Sequence, residues 1–319
     1  MIALWIVVVL AFVQGVLEWL PVSSEGQLVL ILTWIGESEN ALAIALFMHI
    51  GTLIAVIIRF RADIFILLGI RKKTKIAEET SEKNTDTKED PKETNESEND
   101  QGYTVQEKQK ILWKFILLAT LATAVIGIPL YLLVKYVLQE GELLEFANGA
   151  VSGGDLITIL IGVFLIGTGL FILYSRKQTT RKSLYEMTTI EMLIVGAVQG
   201  LAIIPGVSRS GSTVGAMLVE GIEEEDTLRG SFLLSIPAVI GANILTIVID
   251  LILGDASFAD IPWYGMILAV VISGVTGYFT IDLFLRLAKK INFGWFCITF
   301  GALALVITLI MIILAVTTV

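Results

Sequence analysis

Residues 13–26 read VQGVLEWLPVSSEG, and residues 198–211 read VQGLAIIPGVSRSG. Each stretch interrupts a long apolar run, 2–35 in the first case and 187–219 in the second. With one gap between glutamine and proline, both run Val-Gln-Gly, an apolar stretch, Pro, a pair of serines and Gly. Each half of either run is too short for a comfortable crossing of a bilayer, which takes roughly 20 helical residues. A break rich in Pro, Gly and Ser at the middle of an apolar run reads as a re-entrant helix–loop–helix. Irregular backbone at membrane depth is tolerated where it is buried in protein or lines a cavity.

Working outward, six further apolar runs are long enough to cross a membrane: about 41–60, 111–138, 156–174, 230–253, 262–287 and 293–316. Each broken segment is followed by three of them, with Phe47 and Phe232 at comparable distances. The expected fold is therefore an all-α polytopic membrane protein. It has six transmembrane helices and two re-entrant segments, arranged as two repeats over 1–186 and 187–319. Three spans per repeat is an odd number, so the second copy enters from the opposite face. With 36–40 placed outside, Arg61, Arg71, Lys72, Lys73, Arg176, Lys177, Arg181, Lys182, Arg286, Lys289 and Lys290 all fall inside. The outside loops 36–40, 139–155 and 254–261 hold no Lys or Arg. This positive-inside bias puts the loop 61–110 in the cytoplasm and both termini outside. Inverted repeats with paired broken helices place a polar site near the bilayer midplane, where the two loops meet.

Composition agrees. The 319 residues are 55% hydrophobic with mean hydropathy +0.82, which excludes an ordinary soluble domain. The formal net charge of −9 is an average over unlike parts. Much of the charge lies in 71–110, which is nearly free of apolar residues and reads as a disordered loop. Residues 1–12 lack a basic leader and no small-residue cleavage site follows, so a cleavable signal peptide is not expected. One cysteine, Cys297, allows neither a disulfide framework nor a cysteine metal site, and reads as a small buried hydrophobe.

The two breaks carry the chemistry. On a helix, Gln14 and Glu18 are four residues apart and share a face leading into Ser23 and Ser24. A carboxylate inside a membrane domain is costly and is a functional candidate; the alternative is a paired, inert group near the interface. In the second break, Ser208, Ser210, Ser212 and Thr213 offer hydroxyls, and Arg209 offers a planar fork suited to phosphate oxygens. A half-helix starting near Ser210 aims free N–H groups into the same cavity. Together these read as an anion site that fits phosphate; Arg209 acting only as the counter-charge of Glu18 is the plainer alternative. His49, the single histidine, lies in a full span and is either a core residue or a cavity group.

These motifs resemble those of the bacitracin-resistance undecaprenyl-diphosphatase family. That family carries [Glu/Gln]-x-x-x-Glu followed by Leu-Pro-Val-Ser-Ser, and later Pro-Gly-x-Ser-Arg-Ser-x-x-Thr. Here they read QGVLEWLPVSSEG and PGVSRSGST, and the likeness extends to FMHIGTLIAVIIRF at 47–60 and SFLLSIPAVIGA at 231–242. The resemblance implies a hydrolase that removes one phosphate from a polyprenyl diphosphate, regenerating the monophosphate carrier lipid at the cell membrane. It makes Glu18 the essential acid, Ser24 the proposed nucleophile, and Arg209, Ser208 and Thr213 the phosphate-binding set, with Gln14 at the permissive first position. Ser23, Gln27 and Ser210 are further candidate substrate contacts. It also implies a divalent cation, Mg²⁺ or Ca²⁺, with Glu18 as an oxygen ligand. One departure stands out. The family's usual Ser-Ser-x-Gly-His becomes Ser-Ser-Glu-Gly-Gln, so Gln27 replaces a histidine and cannot shuttle protons.

The implied mechanism is electrostatic positioning of the head group by Arg209, helix-end amides and a cation. Either Ser24 attacks the terminal phosphorus with Glu18 as base, or water attacks directly with Ser24 as a ligand. A secondary transporter or flippase for an anionic solute or lipid phosphate would use the same midplane site, and a lipid-binding scaffold is a third reading. A polyprenyl lipid is the expected partner, nucleic acid is not, and a homo-oligomer is possible.

Overall fold

The computed structural model describes residues 3–20, 22–35, 41–69, 103–139, 153–177, 182–253, 261–290 and 292–318. Among them the secondary structure is helical, apart from one isolated bridge between Lys182 and Ile222. The first broken segment forms α1 (Leu4–Leu17) and α2 (Ser24–Trp34). α3 (Ala41–Arg59) and the short α4 (Arg61–Leu67) follow. Next come α5 (Val105–Gln139) and α6 (Gly153–Ser175). The second broken segment forms α7 (Thr189–Gly200), a 3-10 turn (Leu201–Ile203) and α8 (Arg209–Val219). α9 (Glu224–Leu253), α10 (Trp263–Lys290) and α11 (Phe293–Thr318) complete the chain.

Among the described residues, five helices are long and apolar enough to cross a membrane: α5, α6, α9, α10 and α11. α3 is 19 residues long, and its described apolar part, Ile44–Arg59, is shorter. The four helices of the broken segments have 14, 11, 12 and 11 residues. At about 1.5 Å per residue none matches a hydrocarbon core of roughly 30 Å. Large apolar side chains line the outer faces of the long helices, among them Val125, Leu251, Ile252 and Phe279, as suits lipid contact.

The proposed loop 71–110 is corrected at its end, because Val105 to Lys110 already belong to α5. Thr104 caps this helix. Its hydroxyl accepts from the Glu107 amide at 3.3 Å, and the Glu107 carboxylate accepts from the Thr104 amide at 2.8 Å. The Thr-x-x-Glu box at 104–107 is a helix start hidden in a charged run. Residues 71–102 of that loop, and most of the outside loops, lie outside the described residues.

Packing between helices is close because small residues sit at the crossings. α1 packs on α10, and α7 packs on α5. A Cβ built on Gly15 would lie 2.8 Å from the Ser273 carbonyl and 2.9 Å from the Gly277 amide. One built on Gly200 would lie 3.0 Å from the Thr123 carbonyl and 3.1 Å from the Gly127 amide. α6 and α11 meet through two glycine pairs, Gly162 with Gly301 and Gly169 with Gly294. Larger side chains at these crossings would force the backbones apart.

Candidate active site

The two breaks meet inside the bundle. α2 is capped by Ser23, whose hydroxyl accepts from the Gly26 amide at 3.3 Å. α8 is capped by Ser208, which accepts from the Gly211 amide at 3.1 Å. The spacing is the same in both, and each helix directs its first amides, unused within the helix, toward the same space. Ser23 holds a left-handed φ of 57°, uncommon for a non-glycine residue. Gly206 holds φ 97° and lies so close to Gly26 that a Cβ there would be 3.1 Å from its Cα. Ser210 Oγ donates across the junction to the Leu20 carbonyl at 3.2 Å.

Glu18 is the hub of this junction and its side chain is 4% exposed. Its Oε2 accepts from Gln14 Nε2 at 2.8 Å and from Ser24 Oγ at 2.8 Å. His49 Nε2 lies 3.2 Å from the same oxygen. Oε1 pairs with Arg209 Nη2. The other nitrogen of His49, Nδ1, is 2.7 Å from the Ala45 carbonyl, which can only accept, so Nδ1 carries a hydrogen. The short approach of Nε2 to a carboxylate oxygen then needs a second proton between them, held by the imidazole or the carboxyl group. His49 is thus a member of the site and not a core residue apart from it.

A cavity of about 360 Å³ opens beside this hub. Its polar end is lined by Glu18, Ser23, Ser24, Glu25, His49, Ser208, Arg209 and Ser210. The rest of its lining is largely apolar and comes from α5, the end of α7 with the 3-10 turn after it, and α9, with Ile128, Ile203, Val239 and Ile244 beside the polar Thr120, Thr123, Gln199 and Asn243. Of the residues singled out from the sequence, Gln14 stands behind Glu18, outside the lining. Gln27 is buried, with Nε2 unpartnered among the described residues, and it does not line the cavity. Thr213 is fully buried and bonds to Arg209 O, Ser210 O and Ser231 Oγ, which ties α8 to α9 and leaves it off the lining.

Three lining residues with open polar valences escaped the sequence reading as site residues. Glu25 Oε1, Gln199 Oε1 and Thr120 Oγ1 are buried without a hydrogen-bond partner among the described residues, as is Arg209 Nη1. Glu25 was visible as an acid beside the serine pair, and Gln199 as the second copy of Val-Gln-Gly. Nothing in the sequence around Thr120 marked it. For a hard divalent cation the donor set is sparse. Among the described residues no three His, Cys, Asp or Glu side chains gather as a preformed cage. Both Glu18 oxygens are engaged. A cation would have to draw most of its ligands from phosphate oxygens and water, as Mg²⁺ commonly does.

A multi-pass helical membrane protein with a polar pocket at the meeting of two broken helices, its remaining lining largely apolar, defines the class. The sequence matches the family described as bacitracin resistance protein BacA over residues 7–304, and the chain belongs to that family. Its relatives include an undecaprenyl-diphosphatase of Methanothrix thermoacetophila, 35% identical over 303 residues, covering 94% of this chain and 95% of the relative. One of Haloarcula marismortui is 36% identical over 309 residues, covering 94% and 96%. One of Sulfurisphaera tokodaii is 29% identical over 310 residues, covering 97% and 98%.

Proposed function

We propose that this chain is an integral membrane phosphatase that hydrolyses a polyprenyl diphosphate of the undecaprenyl type to the monophosphate and inorganic phosphate. The observation that carries this reading is the contact of Ser24 Oγ with Glu18 Oε2 at 2.8 Å, inside a pocket that also holds Arg209. A hydroxyl against a carboxylate beside a guanidinium is what transfer of a phosphoryl group requires. The apolar chamber beyond it suits an isoprenoid tail.

Ser24 Oγ attacks the terminal phosphorus while its proton passes to Glu18. The bond between that phosphorus and the bridging oxygen breaks, and the lipid monophosphate leaves with the electron pair. Water then attacks the phosphoserine. As the bond from phosphorus to Ser24 Oγ breaks, the proton that Glu18 took from Ser24 returns to that oxygen, and the Glu18–His49 pair takes the proton of the water, so that serine is restored and phosphate released. Arg209 and the first amides of α2 and α8 neutralise charge as it builds on the phosphoryl oxygens. A divalent cation at the acidic side of the pocket would add to that neutralisation.

The same reading places six spans and two re-entrant segments in an inverted repeat, divided at 186 and 187, in the cell membrane with both termini outside. Its support is the reciprocal packing. Gly15 meets positions 273 and 277 as Gly200 meets 123 and 127, and the α6 and α11 glycines pair with each other in mirror order. Lys108, Arg176, Lys182 and Arg229 gather with acidic partners or the Tyr185 ring at the end assigned to the inside.

The test is phosphate release from undecaprenyl diphosphate by purified protein in detergent. A phosphatase works there, whereas a transporter needs a sealed vesicle. Arg209→Lys keeps the charge and loses the fork, so release should fall about a hundredfold. Wild-type protein that binds the lipid and releases no phosphate would refute the assignment.

A further inference from the structure

Resting on that reading of the pocket, we infer that Glu25, and not Glu18, is the carboxylate through which this protein holds a divalent cation against the diphosphate. The argument begins with valences. Glu18 has four partners, Arg209, His49, Ser24 and Gln14, spread over its two oxygens. Engaging a cation there would break contacts that position the serine. Glu25 stands in the first turn of α2, one residue beyond Ser24, and lines the same pocket. Its Oε1 is buried and has no partner among the described residues. Arg209 Nη1 is the matching orphan on the cationic side. Among its ionisable side chains the pocket therefore offers one free acceptor and one free donor, beside the neutral Gln199 Oε1 and Thr120 Oγ1.

Charge balance says what must fill them. The ionisable side chains lining the cavity are Glu18, Glu25, His49 and Arg209. Glu18 already uses Arg209 and the proton shared with His49. A diphosphate brought beside Glu25 adds anion to anion where water is scarce and repulsion is strong. A phosphate oxygen can take Arg209 Nη1, but the facing Glu25 oxygen needs a positive charge between it and the head group. Magnesium bound by one carboxylate, phosphate oxygens and water satisfies that demand without a protein cage, consistent with the absence of one among the described residues. The acid at position 25 thus ties head-group binding in this chain to the presence of the cation.

The probe is inorganic pyrophosphate, titrated into detergent-purified full-length protein by calorimetry at mildly alkaline pH. One series contains chelator and the other contains Mg²⁺. In wild-type protein Mg²⁺ should tighten pyrophosphate by at least about tenfold. In Glu25→Gln that gain should shrink to about twofold or less, while chelator-state binding equals or exceeds that of wild type, because the repulsion is gone. This second readout is a retained or improved affinity, which a misfolded variant cannot give. Glu25→Asp should keep part of the coupling. Undiminished coupling in Glu25→Gln overturns the inference and leaves the phosphatase reading standing. Loss of all pyrophosphate binding in Glu25→Gln also overturns it, since Glu25 would then serve the head group or the fold directly. Wild-type protein that binds pyrophosphate in neither series would overturn both the inference and the anion site beneath it.

Discussion

The two broken segments begin alike and end differently. Both place Val-Gln-Gly against a glycine-bearing long helix, and both restart as a helix capped by a serine that binds the amide three residues on. In the first, Gln14 donates to Glu18. In the second, Gln199 donates to Thr123 of α5 at 3.1 Å, and four residues on stands Ile203. The first half thus delivers an acid and a serine to the junction, and the second delivers a cation and an apolar wall. Two serine-capped helix starts meet at the pocket, and the unlike side chains around them make its lining charged in one part and largely apolar in the other.

The strongest way to break this contrast is at Glu18. Glu18→Gln keeps the size and removes the charge that pairs Arg209 and the proton acceptor that faces Ser24 and His49. Phosphate release should fall by at least about a thousandfold, more than a single general base supplies, because several partners lose their anchor together. Turnover within tenfold of wild type in folded protein would mean that the acid is structural and the two halves are equal in chemistry.

Much of this was legible before any coordinates. The paired breaks and the long apolar runs follow from periodicity, Pro and Gly placement and hydrophobic length. Glu18 and Arg209 were legible because a charge inside an apolar run is costly and needs a reason. The charged run at 71–110 concealed the start of α5, since composition outweighed the Thr104–Glu107 cap. Thr213 looked like a ligand by motif, yet its hydroxyl turns back to its own helix and to Ser231. Sequence spacing fixes which residues share a loop, and says little about which rotamer faces the pocket. Glu25 and Thr120 show the converse: what marks them is a missing partner among the described residues, which only three-dimensional surroundings reveal.

A smaller effect is expected at His49, the group that α3 adds to the first half's loop. It touches Glu18 Oε2 and is held by Ala45 O, so it acts on the reaction through the shared proton. His49→Gln should lower turnover by roughly tenfold to a hundredfold, the lower end of what an acid–base group contributes. The pH dependence of turnover should also lose one inflection relative to wild type. Unchanged turnover with an unchanged profile would return His49 to a packing role and leave the proton traffic to Glu18.

The finest comparison is between the two glutamines, which occupy the same place in the two Val-Gln-Gly stretches. Gln14→Ala removes one of three groups around Glu18 Oε2, and Ser24 and His49 remain. The lost hydrogen bond to a charged group is worth about 1.5–3 kcal/mol at most, and neighbouring donors recover part of it. Turnover should therefore drop about fivefold to tenfold, with substrate affinity little changed, because the head group does not meet Gln14. Gln199→Ala removes a bond to Thr123, whose hydroxyl keeps its contacts to Ala119 O and Gly196 O. That loss should appear in thermal stability, at about 1 kcal/mol, and leave turnover within about twofold. Steady-state phosphate release and melting in detergent, measured on both variants side by side, decide the matter. If Gln199→Ala damages turnover as much as Gln14→Ala, its free Oε1 at the cavity wall holds a reacting partner, and the second half does more than supply Arg209 and a surface for the tail.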